Sequence, residues 1–334
     1  MGPTANVLRR LPKVELHLHL DCSLSYRLVS RLKPTVTRAQ FDEEFIAPLR
    51  CTNLVDFLKC PPKSVALMQT KEALRLAVED LFEQLRRDNL IYVEVRFAPL
   101  LHLEQGMSPA EVVDVVDSAL DAASKQTGIH AALILCTLRH YSAAQSMETV
   151  KLVERFRGRR VVALDIAGDE AGHSVDAHIP AFAYAADKKL GRIAHAGEAG
   201  GPESVWETLK HFTPSRIGHG VRSVEDPALM EHLGKTGIHL EVCPSSNVQT
   251  NMYDGYADHP VRDLPDSGVS FNINTDSRTV NNLTLTDEYQ RLQDAFGWSK
   301  EFLQANLYAV KASFAPEALK HELAERLTAA YSDL

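Results

Sequence analysis

The chain predicts an α/β fold, specifically a (β/α)8 TIM barrel with a helical insertion after its first strand. Short apolar, β-rich runs recur along its 334 residues. Longer stretches with apolar residues at helical spacing lie between them. About eight such units in one chain of this size favour a closed barrel over an open doubly wound sheet.

The runs cover 14–20, 91–98, 131–138, 161–167, 192–196, 216–219, 239–243 and 270–275. Several are apolar almost throughout, as in Val161-Val162-Ala163-Leu164. Such runs belong to parallel strands covered on both faces, because neither face meets water. Helical patterns such as 110–124 and 299–313 follow the runs. No GxGxxG follows the first run, which speaks against a dinucleotide-binding sheet.

The first unit departs from the rest. The roughly 70 residues between the first two runs far exceed an ordinary barrel connection. They carry helical patterns at 28–32, 40–46, 54–58 and 71–87, with Pro61-Pro62 expected to break the segment. A long connection at the C-terminal mouth of a barrel is usually functional, so 22–90 is expected to form a helical lid. No composition shift marks a boundary elsewhere, and 1–334 reads as a single domain.

Composition narrows the function classes. With 45% hydrophobic and 24% charged residues, the chain has the balance of a soluble globular protein. A net charge of -8 argues against nucleic acid as the main partner. The one dense basic cluster, Arg157 to Arg160, suits a solvated turn. No stretch approaches the roughly 20 apolar residues that span a bilayer, so no membrane partner is expected. Residues 1–10 lack the apolar core of a secretory signal. Cys22, Cys51, Cys60, Cys136 and Cys243 are odd in number and form no CxxC pair. A reducing cytoplasm is the expected setting.

The informative polar residues fall at the ends of the predicted strands, where a barrel places its active site. His17 and His19 stand two apart in Val-Glu-Leu-His-Leu-His-Leu-Asp, so both imidazoles face one side. Converging neutral imidazoles suit a divalent transition metal, most simply zinc; ordinary hydrogen-bonded histidines are the bland reading. His195 and Glu198 lie in Ile-Ala-His-Ala-Gly-Glu at the fifth strand's end. His195 offers a third ligand from across the barrel. Glu198, beside a metal and partly desolvated, could hold a proton near neutral pH; a helix N-terminal acid is the competing role.

His219 stands between glycines in Ile-Gly-His-Gly. General base, electrostatic stabiliser, further ligand and packed core histidine all remain open for it. Asp276 closes Asn-Ile-Asn-Thr-Asp at the eighth run and can ligate a metal, orient its water, or both. After the fourth run, Gly168 could offer an open backbone N–H to a planar ligand. Each signal is modest alone. Together they describe one radial site fed by strands one, five, six and eight.

Taken together, these motifs resemble the adenosine deaminase family of metal-dependent amidohydrolases. The likeness runs from Pro12-Lys13-Val14-Glu15-Leu16-His17-Leu18-His19-Leu20-Asp21 through Tyr92-Val93-Glu94-Val95-Arg96-Phe97-Ala98-Pro99 and Asp165-Ile166-Ala167-Gly168-Asp169-Glu170. It continues through His195-Ala196-Gly197-Glu198, Gly218-His219-Gly220 and Asn274-Thr275-Asp276, spanning nearly the whole chain. The resemblance implies one zinc held by His17, His19, His195 and Asp276. It implies catalysis by Glu198, which protonates purine N1, with His219 and Asp276 positioning and deprotonating the zinc-bound water for attack at C6. Asp21 would meet the ribose hydroxyls, the Gly168 N–H would meet purine N3, and His19 would form part of the substrate wall. The implied reaction converts adenosine, and 2′-deoxyadenosine, to inosine or its deoxy form plus ammonia; the partner is a small purine nucleoside.

The fourth run carries no lysine to bridge a second metal, and the HxE…PCxxC signature of cytidine-deaminase-type enzymes is absent. Two positions depart from the family. Cys22 follows Asp21 where glycine is usual, and Ser277 follows Asp276 where many members carry an aspartate facing purine N7. A serine hydroxyl can still donate to N7, but it is neutral. Another aminopurine substrate is the alternative: adenine, a 5′-modified adenosine or aminodeoxyfutalosine. A catalytically silent nucleoside-binding protein is the alternative outside enzymes.

Overall fold

Eight parallel strands, hydrogen-bonded in chain order, form the sheet of the computed structural model, which describes residues 3–332. Of the expected 1–334 span, residues 1, 2, 333 and 334 lie outside the described residues. The strands are β1 (Lys13–His19), β2 (Leu90–Phe97), β3 (His130–Leu138), β4 (Val161–Ala167), β5 (Gly191–Ala196), β6 (Arg216–His219), β7 (His239–Val242) and β8 (Phe271–Ile273). Helices such as Pro109–Thr127, Ala143–Arg155 and Lys300–Ala312 alternate with them outside the sheet. This is the (β/α)8 barrel that the alternation predicts.

The barrel closes between β8 and β1 by a short bridge. The His19 N–H donates to the Asp276 carbonyl at 2.8 Å, and the Asp276 N–H donates to that of His17 at 3.1 Å. Asn274 Oδ1 accepts from the backbone N–H groups of Leu16 and His17 at 2.9 and 3.0 Å. β8 is therefore shorter than the apolar run 270–275 suggests: its last residues leave the ladder to make this seam. The seam sets Asp276 beside both β1 histidines.

Each strand is buried nearly end to end, as the apolar runs require; every residue of β2 is buried. Several buried side chains are nevertheless charged. Glu94, Arg96, Asp165, Arg216 and Glu241 have no exposed surface. They survive there because they pair, since an unpaired buried charge is strongly disfavoured.

The segment between β1 and β2 is helical, with helices at Tyr26–Leu32, Arg38–Glu44, Leu54–Phe57, Pro61–Val65 and Lys71–Arg87. Pro61 and Pro62 do not simply interrupt it; they open the helix Pro61–Val65. Proline suits a first helical turn, where its missing N–H loses no bond. Lys71–Arg87 packs beside Pro109–Thr127 as an outer helix of the barrel. The part over the cavity comes from the shorter helices before it. Among the described residues, no helix is long and apolar enough to cross a membrane.

Candidate active site

Four imidazoles converge at the C-terminal end of the barrel. The rings of His17 and His195 have centroids 4.5 Å apart, and those of His17 and His219 lie at 4.9 Å. His19 Nε2 stands 3.3 Å from His195 Nε2 and 3.4 Å from Asp276 Oδ1. His17 Nε2 lies 3.4 Å from the same oxygen. Ligand atoms of His17, His19 and His195 all fall within 4.8 Å of one another. The structure thus brings together the four residues expected to hold a metal.

A divalent metal fits these residues on two grounds. His17 Nε2 is buried without a hydrogen-bond partner, a costly state for a polar atom unless something binds it. Meanwhile the outer nitrogens of two rings are already occupied. His17 Nδ1 lies 3.0 Å from Glu241 Oε2, and His195 Nδ1 lies 3.2 Å from Asp165 Oδ1. Carboxylates behind the rings fix the proton on Nδ1 and turn Nε2 inward as a basic ligand atom.

Arg96 ties those two carboxylates together. One guanidinium nitrogen donates to Asp165 at 2.7 Å and another to Glu241 at 2.6 Å. Arg216 reaches Glu241 Oε1 at 2.7 Å and also pairs with Glu94. Burial opposes ionisation of Asp165, but His195 and Arg96 hold its carboxyl below the usual range. Neither Glu241 nor Arg96 stands in a pattern that assigns it a role from sequence alone. The signal was present: an acid or arginine inside an apolar strand needs a partner. Which partner depends on strands that meet only in the barrel.

Gly218 is required by packing. Residue 218 lies beside His195 in the β5–β6 register, and a Cβ there would stand 3.0 Å from His17 Cε1 and 3.1 Å from His195 Nδ1. A side chain there would require the imidazoles to give by a few tenths of an ångström, against rings already held by Glu241 and Asp165. His219 and Asp276 themselves adopt left-handed φ angles of 61° and 62°. Non-glycine residues are held there at a cost of about 1–3 kcal/mol each, a pattern that concentrates at functional sites.

Glu198 faces this cluster, 4% exposed, with Oε2 3.5 Å from His219 Nε2. Burial, reinforced by the negative charges of Asp276 and Glu170, pushes its carboxyl well above the ordinary value. The loop bearing it is held by Glu170, which accepts from the N–H groups of Gly197, Glu198, Ala199 and Gly200 at 2.7–3.0 Å. Glu170 is another residue that sequence reasoning left unassigned. Burial and His17 keep His219 well below its usual pKa, so its ring is neutral.

His19, His195, Glu198, His219 and Asp276 line a cavity of about 490 Å³. Asp21, Gly168 and Ser277 line it too, as do Cys22, His140 and Asp169. Gly168 has φ +102°, which a side chain would strain. Asp21 accepts from the Ala98 N–H at 3.3 Å. Its carboxyl is pushed up to about 6 by burial. Ser277 is 3% exposed beside Asp276. The roof is apolar: Leu54, Phe57, Leu58, Pro61, Pro62 and Val65. Among the described residues no lysine or arginine lines this space, while Asp21, Glu104 and Asp169 do.

A family model described as adenosine deaminase matches residues 12–330. An adenosine deaminase of Lacticaseibacillus casei is 37% identical over 332 residues, covering 97% of this chain and 98% of that protein. A solved adenine deaminase from Arthrobacter aurescens superposes with a TM-score of 0.88 at 25% identity, covering 96% of this chain and 98% of that one. The N6-methyl-AMP deaminase from Arabidopsis thaliana superposes with a TM-score of 0.87 at 25% identity, over 99% of this chain and 100% of that one.

Proposed function

This chain belongs to the adenosine deaminase family of hydrolytic deaminases, and from that premise we propose that its substrates are adenosine and 2′-deoxyadenosine. The products are inosine, or 2′-deoxyinosine, and ammonia. The observation that carries this reading is one cavity that gathers histidines and an aspartate able to hold a metal, a buried carboxyl whose ionisation burial opposes, and the further carboxylate of Asp21.

We assign one zinc ion to His17, His19, His195 and Asp276. Bound there, zinc would lower the pKa of a water from about 15.7 toward about 7 and so supply hydroxide at neutral pH. The chain's own groups do the rest. Glu198 keeps its proton because ionising inside the cavity is disfavoured, and it delivers that proton to purine N1. Protonation lets the ring accept the electron pair displaced when oxygen adds at C6. Asp276 and His219 would orient the water, and Asp276 would receive its proton. That proton leaves with the amino group as ammonia as the C6–N bond breaks, and the new C6 hydroxyl returns a proton to Glu198 as the carbonyl forms.

Asp21 is assigned to the ribose hydroxyls, the Gly168 N–H to N3, and the Ser277 hydroxyl to N7; His19 forms part of the substrate wall. The lining favours a nucleoside over a nucleotide. A 5′-phosphate would meet carboxylates and no lysine or arginine, a repulsive pairing in a partly desolvated site. Free adenine would leave Asp21 without a hydroxyl to meet. The cytoplasm is the compartment we assign, on the odd count of five cysteines.

The test is a steady-state assay of zinc-loaded protein on adenosine, 2′-deoxyadenosine, adenine, AMP, 5′-substituted adenosines, N6-methyl-AMP and aminodeoxyfutalosine. We expect kcat/KM for the first two to exceed the others by about 10²-fold or more, in keeping with unmet polar groups and repelled charge. Preference for adenine or a nucleotide would overturn the substrate assignment. Binding of adenosine without turnover of any compound would indicate a silent nucleoside-binding protein.

A further inference from the structure

His219 has two ring nitrogens, and which one carries the proton decides whether its cavity-facing atom gives or takes. The answer is written in a hydrogen-bond chain that starts at the backbone. The Val261 N–H donates to His259 Nδ1 at 3.1 Å. A backbone amide has no alternative role, so His259 Nδ1 is an acceptor and the proton of that neutral ring sits on Nε2. His259 is 2% exposed, and its burial opposes a second proton.

His259 Nε2 lies 3.3 Å from Asn247 Oδ1. A donor there fixes the amide orientation, oxygen toward His259 and nitrogen toward His219. Asn247 Nδ2 stands 3.2 Å from His219 Nδ1 and donates to it. His219 Nδ1 is therefore occupied as an acceptor. The ring's single proton must lie on Nε2, the atom 3.5 Å from Glu198 Oε2. Asn247 has no exposed surface and His219 is 1% exposed, so water cannot cheaply substitute for a reversed link.

We propose that Asn247 and His259 are positioning residues that keep the His219 proton on Nε2, making His219 a hydrogen-bond donor in the cavity and leaving Asp276 to receive the proton of water. The inference rests on the proposed deaminase reading for its effect on rate, but not for the proton position itself. Neither residue touches the cavity: both act through His219. They lie on separate segments, Asn247 in the helix Pro244–Gln249 and His259 ten residues beyond its end.

Two measurements test it on the zinc-loaded protein. In ¹⁵N-histidine NMR of the wild type, the His219 signals should be those of a protonated Nε2 and a bare Nδ1. Asn247→Asp keeps the shape but reverses the polarity, because its carboxylate accepts from Nδ1–H. In that variant the proton should move to Nδ1, and kcat on adenosine should fall by about 10²–10³-fold, as when one preorganised donor is lost, with KM little changed. His259→Gln can still accept from Val261 and donate to Asn247, so it should retain near-wild-type kcat, whereas His259→Leu should not.

A wild-type spectrum with the proton on Nδ1 would overturn the proposal outright. So would unchanged kcat in Asn247→Asp after the proton has moved, or equal kcat in the two His259 variants. Should Asn247→Asp not fold, the wild-type spectrum and the His259 pair still decide. A protein inactive on every aminopurine would sink the deaminase reading, while the spectrum would independently settle the proton.

Discussion

Glu198 illustrates how one side chain acquires a role from its surroundings. In the sequence it is an acid shortly before a helix, a position where acids are common for bland reasons. In the structure it is buried beside Asp276 and over the Glu170 nest, which makes its charged form costly. Glu198→Gln keeps the shape and removes the proton. We expect turnover to fall by about 10²–10⁴-fold, the range for losing a positioned acid, with zinc content and circular dichroism unchanged. Loss of metal would mean that Glu198 belongs to the ligand set instead. The histidines divide differently. His17 and His19 were legible from strand alternation, because residues two apart share a face, and His195 from its place at a strand end. His259 stands in no such pattern, yet it is buried against Asn247. No local pattern distinguishes those cases, since its partner lies on a different segment.

At the scale of elements, the strands were read well because burial on both faces leaves an unmistakable apolar run. Their ends were less legible. The run 270–275 does not reveal that β8 stops at Ile273 so that Asp276 can turn into the seam with β1. The helical segment after β1 was visible from periodicity, but its division was not. Lys71–Arg87 joins the outer ring, and only the shorter helices reach the cavity. Phe57 closes the short helix Leu54–Phe57 and lines the roof, 3% exposed. Phe57→Ala should weaken substrate binding more than chemistry. We expect KM to rise by about tenfold, the worth of about 1.4 kcal/mol of lost contact, and kcat to change far less. An equal loss in kcat would show that the helix also shapes the reacting geometry.

The molecule as a whole is a barrel with charge at its centre. Arg96 of β2 and Arg216 of β6 join carboxylates from three strands, so β2, β4, β6 and β7 are tied electrostatically as well as by ladder bonds. Neutral histidines are buried elsewhere in it. Burial lowers His102 and His239 from 6.5 to about 4. Between those values the unfolded chain binds a proton that the native state refuses. The stability these two histidines contribute is therefore full above pH 6.5 and is lost as pH falls toward 4, by on the order of 3 kcal/mol per histidine. His102 Nδ1 contacts the Met68 carbonyl at 3.0 Å, a bond that an asparagine amide can replace. Urea unfolding of His102→Asn should show a shallower loss between pH 6.5 and 4 than the wild type. Parallel pH curves would refute this assignment.

The sequence by itself determined the barrel, the polar residues at its mouth and the residue types able to hold a metal. These follow from local rules: apolar period, strand alternation and the cost of burying an ionisable group. Tertiary structure alone decided which carboxylate stands behind which imidazole, that a side chain at Gly218 would crowd His17 and His195, and which way the Asn247 amide points. Those facts belong to pairs of atoms far apart along the chain. Their energies arise only when the closed barrel removes water and brings the two members within reach of each other.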